Sequence, residues 1–432
     1  MTDLHQTPTA VFKRALLPLC VSVALSPIAS AEDQGISGAE LDPIVVSAGG
    51  FSQAMKTAPA SISVISREEL EERSFSSISE AVADVPGVDV DGSFSKTGGR
   101  DISIRGMPAD QTLILIDGQR QNTGGSTTPN GFGTTRTNFL PPASAIERIE
   151  VIRGPMSTLY GSDAMGGVIN IITRPVSEEW SAELRTEHTF QQESEFGNTS
   201  QSSLYASGPL ADNLGLSLRG SIWDRQGSRI SYTDENGDEV VPSRGENPVR
   251  AKRYTLGSRL DWAVSNTQTL WLDAFTMHQR YDNEDGEIGT VGNRGYSDEL
   301  TFSRDAFTLG HKGQFGRHQW ESSLMHKTTE TEGRTIPASF DPSRANEDRT
   351  LEARDIVLDS KVNANVGAHM VTVGGQLWEA ELDEGILNGP TLDQTQWSVF
   401  AEDEWALART LTLTVGARHT RHSEFEGETT PR

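Results

Sequence analysis

Residues 149–155 read IEVIRGP, and residues 160–174 read YGSDAMGGVINIITR. The apolar, β-branched residues at both ends of this stretch predict two buried strands. The Gly-Pro pair ends the first strand, and Gly166-Gly167 lets the chain re-enter a sheet where larger side chains would not fit. The stretch therefore predicts a strand, a tight turn, a short helix, a glycine pair and a second strand, which together form a compact α+β element.

The segments around this stretch extend the same domain over residues 49–175. Ser61–Ile65 alternates in polarity as a strand does, and Ser66 with Glu69 has the spacing of a capping box that starts a short helix. Further elements are predicted as a helix over Ser77–Ala83, strands over Val88–Val90, Ile102–Met107 and Leu113–Gly118, and a Gly/Thr/Asn-rich loop over Gln121–Asn138.

From Trp180 onward, segments of about ten to fifteen residues alternate in polarity. Leu216 and Leu218 share one face of such a segment, whereas Ser217 and Arg219 share the other. An apolar face toward lipid and a polar face toward a lumen are typical of transmembrane β-barrels. A soluble sandwich also alternates, but its strands are shorter and its polar face is less consistently rich in arginine. We therefore predict antiparallel transmembrane β-barrel strands over residues 176–432.

The connections between these segments alternate between short turns and long polar loops, as in outer-membrane barrels. We count about eleven strands, whereas a lumen that holds a domain of more than about 100 residues needs roughly 22. The sequence therefore predicts about half of such a barrel, with a loop-like tail at Glu428–Arg432. Because lipid does not tolerate open sheet edges, we expect that these residues alone do not form a stable pore.

The N-terminus has the pattern of an export signal. Lys13 and Arg14 form a positive region, a short apolar segment follows, and Ala29–Ala31 fits the small-residue cleavage pattern. We therefore predict a signal peptide over residues 1–31. Residues 32–48 are small and polar apart from one short apolar segment, which predicts a disordered leader.

Composition excludes several classes of function. The 432 residues carry a formal net charge of -24, which argues against nucleic acid as a partner. No apolar run of about 18 residues is present, and this excludes a helical membrane protein. The histidines are scattered, and the sequence has no His-Glu-x-x-His motif, phosphate-binding Gly-Lys loop or Gly-x-Ser-x-Gly turn. We therefore expect neither an enzyme nor a metal or cofactor site.

Four segments carry a family resemblance. Ile102–Met107, Leu113–Arg120 and Pro141–Glu150, together with the opening stretch, resemble the plug domain of TonB-dependent outer-membrane receptors. The resemblance implies an α+β plug domain inside an antiparallel transmembrane β-barrel in the outer membrane of a Gram-negative bacterium. It also implies active import of a ligand, driven by the TonB energy-transducing protein.

Within the family, the chain looks most like the receptors for catecholate ferric siderophores and colicin I. The resemblance therefore implies a ferric siderophore as ligand, and outer-membrane lipid, colicins and phages as further partners. Two alternatives stay open. The same fold could import haem, cobalamin or another scarce ligand, or the protein could be a passive outer-membrane barrel or adhesin.

The resemblance also assigns roles to residues near the N-terminus and in the plug. A short β-prone segment resembles the TonB box, although it also reads as the first strand of the next domain. By position, Arg105 and Arg153 would form the ion pairs with barrel glutamates that hold the plug, unless each only binds local carbonyl groups. The TonB-box residues are Asp42, Pro43, Ile44, Val45, Val46, Ser47 and Ala48.

A trianionic ferric tris-catecholate would be bound by cations and aromatic side chains at the plug apices and outer loops. The arginine candidates lie beside plug loops, and each also reads as an ordinary solvated arginine. The tyrosine candidates lie in the long loops of the barrel. The five candidates are Arg100, Arg120, Arg136, Tyr232 and Tyr296.

Overall fold

The computed structural model describes residues 44–45, 53–54, 60–73, 75, 77–90, 99–122, 137–240, 248–286, 288, 295–349, 351–386, 391–408 and 410–432. The predicted signal peptide therefore lies outside the described residues, as does most of the predicted leader and of the loop over Gln121–Asn138.

The N-terminal part of the chain forms short strands and three short helices. Their order is β1 (Ile44–Val45), β2 (Gln53–Ala54), β3 (Ser61–Ser66), α1 (Arg67–Glu72), α2 (Ile78–Val82), β4 (Val88–Val90), β5 (Ile102–Ile104), β6 (Thr112–Ile116), β7 (Gln119–Arg120), β8 (Ile146–Arg153), α3 (Ser157–Tyr160) and β9 (Gly167–Thr173).

Five of these strands form one mixed sheet in the order β3-β8-β9-β6-β7. Strands β6 and β9 are parallel, and the other neighbours are antiparallel. The apolar side chains predicted to be buried, such as Ile149, Val151 and Ile169, are at most 1% exposed and pack with α1 and α2. The opening stretch therefore forms the centre of this domain, as the sequence predicts.

Local signals set the ends of these elements. The Ser66 hydroxyl accepts from the Glu69 amide at 3.3 Å, and Glu69 Oε2 accepts from the Ser66 amide at 2.8 Å, so the predicted capping box is confirmed. Asp117 and Gly118 have φ values of 49° and 79°, the left-handed conformation that a tight hairpin between β6 and β7 requires.

The glycine pair fits where a side chain would not. A Cβ atom on Gly167 would lie 2.2 Å from the Ile152 carbonyl oxygen and 2.8 Å from Ile104 Cδ1. Strand β9 can therefore pair with β8 only because position 167 has no side chain, which confirms the prediction from sequence.

The described residues of the rest of the chain form one large antiparallel sheet of twelve strands and a small hairpin, β13–β14. The strands are β10 (Ser181–Thr189), β11 (Thr199–Ala211), β12 (Leu214–Arg225), β13 (Tyr232–Thr233), β14 (Glu239–Val240), β15 (Ala251–Ser265), β16 (Gln268–Asp282), β17 (Tyr296–Phe315), β18 (His318–Arg334), β19 (Leu351–Val366), β20 (His369–Glu384), β21 (Leu392–Ala408), β22 (Leu411–His422) and β23 (Glu428–Pro431).

The alternation predicted from the sequence is present in this sheet. Leu218 is 41% exposed on the outer face of β12, whereas its neighbour Arg219 is 5% exposed on the inner face. The connections also alternate, with two-residue turns such as Gly316-Arg317 and long segments such as residues 226–250. The large sheet therefore has an apolar outer face and a polar, arginine-rich inner face.

One detail of the sequence prediction is wrong. The sheet has twelve described strands, in agreement with the predicted count of about eleven, but the tail predicted as a loop contains the last of them, β23. Arg432 explains the pairing, because its backbone exchanges hydrogen bonds with Gly416 and its guanidinium donates to Glu402 Oε2 at 2.9 Å. The tail carries no apolar alternation, so no strand is predicted there from its residues.

Candidate functional site

The N-terminal domain lies against the inner face of the large sheet. Phe139 is fully buried there among Tyr281, Phe302 and other apolar side chains of β12 to β17. At the other side of the domain, Phe400 of β21 packs against Leu159 of α3 and its apolar neighbours. The contact between the two parts is therefore partly apolar, but charged side chains occupy its centre.

Lys327 of β18 is the most buried of these charges. Its side chain and that of Asp355, its partner on β19, are both 0% exposed, and their charged atoms lie 3.5 Å apart. The ammonium group also donates to three successive carbonyl oxygens of the N-terminal domain: Arg120 at 3.4 Å, Gln121 at 3.3 Å and Asn122 at 2.8 Å. A buried ammonium group needs such partners, because its desolvation is otherwise costly.

Arg120 approaches the same place from the N-terminal domain. Its guanidinium pairs with Asp163 and donates to the Tyr160 carbonyl oxygen at 2.7 Å. It also lies 4.9 Å from the ring centroid of Trp378 on β20, in cation–π range. The indole N–H of Trp378 donates to Asp355 Oδ1 at 2.9 Å. Arg120, Trp378, Asp355 and Lys327 therefore form a closed ring of contacts across the interface.

Arg418 of β22 makes a second polar contact. It is 2% exposed, and its guanidinium donates to the carbonyl oxygen of Leu159, in the last turn of α3, at 3.2 Å. It also donates to Gln376 Oε1 at 3.1 Å and to the Ser398 hydroxyl at 2.5 Å. Burial raises the pKa of the neighbouring Tyr160 phenol above its ordinary value, and the Glu150 carboxylate adds to the shift.

A cavity of about 490 Å³, lined by both polar and apolar side chains, lies between the N-terminal domain and the sheet. Its walls carry charges of both signs, and these are paired: Arg259 lies 3.6 Å from Asp117, and Glu321 lies 3.3 Å from Lys361 and 3.5 Å from Lys312. The cavity lies toward the short turns of the sheet, because Lys312 and Glu321 flank the turn at 316–317. Its volume is in the range of small-molecule sites.

Comparison with known proteins identifies this arrangement. A family model described as the TonB-dependent receptor plug domain matches residues 54–168, and a model of the TonB-dependent receptor-like β-barrel matches residues 184–432. The chain belongs to the TonB-dependent receptor family. The N-terminal domain is therefore a plug, and the large sheet is part of the barrel that surrounds it, which confirms the predicted fold class.

Curated relatives agree with this assignment. An iron-regulated outer-membrane virulence protein of Vibrio cholerae is 35% identical over 96% of this chain and 60% of its own length. The ferric enterobactin receptor of Pseudomonas aeruginosa is 28% identical over 85% and 55%. The vitamin B12 transporter BtuB of Vibrio vulnificus is 34% identical over 74% and 47%. The chain thus spans about half to three fifths of these relatives.

Among solved structures, a variant of the ferric enterobactin receptor PfeA from Pseudomonas aeruginosa has a TM-score of 0.72 and 25% identity, covering 87% of this chain and 59% of that one. The family consists of transporters and receptors, not enzymes, and its members are outer-membrane proteins. In the part of this chain that the structure describes, no helix is long and apolar enough to span a membrane.

The structure places the two predicted plug–barrel arginines within the plug. Arg153 donates to the Pro86 carbonyl oxygen at 2.6 Å and to the Ser63 hydroxyl at 3.1 Å. Arg105 is exposed, has a φ of 54° and lies beside Gly154. The local carbonyl contact that the sequence left open is thus present for Arg153, and the ion pairs with barrel glutamates stay a prediction.

The five predicted ligand residues are dispersed. Arg120 lies in the buried ring of contacts, where its guanidinium already has partners. The Arg100 carbonyl accepts from the Thr137 hydroxyl at 3.1 Å. Tyr232 is exposed on the β13–β14 hairpin, and Tyr296 stacks under the Arg334 guanidinium at 4.2 Å. Arg136 lies outside the described residues.

The predicted TonB box is described only at its centre. Ile44 and Val45 form β1, which pairs antiparallel with β2 as Ile44↔Ala54 and Val45↔Gln53. The two short strands form a sheet separate from the five-stranded sheet of the plug. The other predicted residues, Asp42, Pro43 and Val46–Ala48, lie outside the described residues.

Sequence reasoning missed the barrel side of the interface. Lys327, Asp355, Trp378 and Arg418 received no role, although each lies at an inward position of an alternating strand. The available signal for such a contact was a lysine or arginine on the lumen face of a strand. In a barrel that is filled by a plug, a charge that points inward must be paired or hydrogen-bonded. Which plug atom provides that partner could not be read from the sequence.

Proposed function

We propose that this protein imports a ferric siderophore of the catecholate type across the outer membrane, with energy provided by TonB. The observation that carries the proposal is the way in which the plug is held. Its centre meets the barrel wall through charged and hydrogen-bonded groups, which can be exchanged for water, and among the described residues only the backbone between β9 and β10 joins the two covalently. A contact of this kind allows the plug to be displaced during transport and to return afterwards.

The names of the relatives favour iron as the cargo. An iron-regulated protein is 35% identical, and a ferric enterobactin receptor is 28% identical. A ferric tris-catecholate carries three negative charges, so Arg100 and Arg136 of the plug and Tyr232 and Tyr296 of the barrel remain our candidates for contact with it. Arg120 would contact it only after leaving Asp163.

The transport mechanism assigns a role to the N-terminus. Residues Asp42–Ala48 would add as a strand to TonB, and a pull on this segment would rearrange the plug so that the ligand passes. The exposed Arg105 and the partly buried Arg153 remain candidates for ion pairs with barrel glutamates. The signal peptide would be cleaved after Ala31 during export, which N-terminal sequencing of the mature protein can test.

A ligand panel tests the proposal. Isolated outer membranes that contain the protein should bind ferric enterobactin, measured by quenching of intrinsic fluorescence, at concentrations at which haem and cobalamin do not bind. Preferred binding of cobalamin would contradict the siderophore assignment, and here the relationship to BtuB makes cobalamin the competing ligand. Quenching by colicin I or by phage particles would identify those further partners.

Deletion of residues 42–48 separates active transport from passive binding. We expect uptake of the iron-55 complex to be lost while fluorescence quenching is unchanged, because none of the proposed ligand residues lies within residues 42–48. Deletion of residues 32–38 is the matched control and should leave uptake intact. A passive barrel or adhesin would give equal uptake with and without residues 42–48.

A further inference from the structure

We propose that Lys327 is a positioning residue that anchors the β6–β7 hairpin of the plug to the barrel wall, independently of the rest of the plug sheet. The inference rests on the buried pair of Lys327 and Asp355 and on the three plug carbonyl groups that the ammonium binds. It does not depend on which ligand is imported.

The contacts of Lys327 are local to one hairpin. The ammonium binds the carbonyl groups of residues 120–122, which directly follow the turn at Asp117-Gly118. These residues are held to β6, because the Gln121 amide donates to the Ile114 carbonyl at 2.9 Å and the Ile114 amide donates to Asn122 Oδ1 at 3.3 Å. Attachment of residues 120–122 to the wall therefore fixes the whole hairpin.

A second contact supports the same attachment. The Ser323 hydroxyl of β18 donates to Gln119 Oε1 at 3.1 Å, two side chains along the wall from Lys327. Strand β18 thus contacts four successive residues of the plug, 119–122. Strand β7, which contains the first two of them, is the edge strand of the plug sheet.

The opposite edge of the plug sheet is held differently. Strand β3 lies at that edge, and the helix that follows it contacts the barrel through the pair of Arg67 and Glu183, at 2.9 Å. Both side chains of this pair are about 30% exposed, so water weakens their attraction. The Lys327 pair is dry, and its hydrogen bonds to carbonyl groups are charge-assisted. The plug is therefore attached firmly at the β7 edge and weakly at the β3 edge.

Hydrogen exchange on the protein in isolated outer membranes tests the anchor. In Lys327→Met, amide exchange in residues 112–122 should rise at least about tenfold, the factor expected for loss of one charge-assisted hydrogen bond. Exchange in residues 61–66 and 146–153, which form the opposite edge strand β3 and its neighbour β8, should not change. Unchanged exchange in 112–122, or an equal rise at both edges, would overturn the proposal.

A double variant distinguishes two effects of Lys327→Met: the loss of the contacts to the plug, and the destabilisation caused by leaving Asp355 buried without its partner. Lys327→Met combined with Asp355→Asn is neutral and keeps an acceptor for the Trp378 indole N–H. Because this variant removes both charges of the Lys327–Asp355 pair, it should assemble even if Lys327→Met does not, and its 112–122 segment should still exchange fast. Wild-type exchange there, or failure of the double variant to assemble, would show that Lys327 is not a local anchor.

Lys252 provides a matched control. It pairs with Asp224 on the adjacent strand at 3.7 Å, in the same barrel, but both side chains are largely exposed. Lys252→Met should leave exchange in residues 112–122 at the wild-type rate. A rise equal to that in Lys327→Met would mean that loss of any barrel lysine loosens the plug, and it would overturn the proposal.

Discussion

At the scale of single residues, the contribution of an ion pair to stability depends on whether its charges are buried or exposed to water. Arg120 and Arg73 both pair with an aspartate inside the plug domain, but Arg120 is buried against the barrel and Arg73 is exposed. Removing one member of a buried pair leaves the other charge without compensation, whereas an exposed pair is replaced by water. The same type of ion pair therefore contributes more to stability at Arg120 than at Arg73.

Arg120→Met should lower the free energy of unfolding by about 3 kcal/mol, because Asp163 and the Tyr160 carbonyl lose their donor. Arg73→Met should lower it by less than about 1 kcal/mol. Denaturant titration of the plug signal, with the protein in detergent micelles, measures both. Equal losses in the two variants would show that burial does not strengthen the Arg120 pair.

At the scale of elements, the entry of β9 into the sheet depends on Gly167. An alanine Cβ there would meet the Ile152 carbonyl at 2.2 Å, so β8 and β9 must separate. We expect Gly167→Ala to cost about 3 kcal/mol and to speed amide exchange in residues 146–153 and 167–173. The measurement is denaturant titration combined with hydrogen exchange.

Gly118→Ala is the control for this prediction. Its φ of 79° makes alanine unfavourable by about 1 kcal/mol, but no atom lies within 4 Å of the added Cβ. Exchange in β8 and β9 should therefore stay at the wild-type rate. If Gly118→Ala opened β8–β9 as strongly as Gly167→Ala, steric contact at position 167 would not be the cause.

Local signals allowed much of the plug to be predicted from the sequence. The capping box of Ser66 and Glu69, the turn at Asp117-Gly118 and the close approach at Gly167 each involve residues near one another in the chain or a special backbone conformation. Strand β23 was missed because backbone bonds and the Arg432–Glu402 pair define it, without an apolar pattern.

The interface was harder to predict for a different reason. The polarity of β18 to β22 indicates which side chains point inward, but Lys327 and Arg418 bind backbone carbonyl groups of the plug that lie more than 200 residues away in the chain. Backbone groups have no sequence signature. Arg120 therefore looked like a ligand contact, although its environment is set by Asp163 and Trp378.

At the scale of the whole molecule, the outer face of the sheet should contact lipid in a depth-dependent way. Leu256 lies near the middle of β15 and is 61% exposed, and Val264 lies on the same face beside the short turn. Leu256→Arg should cost about 2 to 4 kcal/mol, whereas Val264→Arg, near the interface, should cost no more than about 1 kcal/mol. Denaturant titration in lipid vesicles measures the difference.

A soluble sheet would respond differently to these substitutions. Arginine on a water-facing strand costs little at either position, so equal and small effects of Leu256→Arg and Val264→Arg would contradict a lipid-facing surface. Retention of both the Leu256→Arg and the Val264→Arg protein in the membrane fraction would show that the comparison concerns a membrane-inserted state in both variants.

The separation in sequence between Lys327 and the carbonyl groups it binds also constrains the order of folding. The plug is synthesised first, but the strands that hold it at Lys327 and Arg418 follow some 200 to 260 residues later. Contacts with such large sequence separation form late, since a long loop must close before they stabilise the protein. The plug must therefore fold before these contacts form. The plug surface that is buried in the final structure stays hydrated until the barrel strands assemble around it.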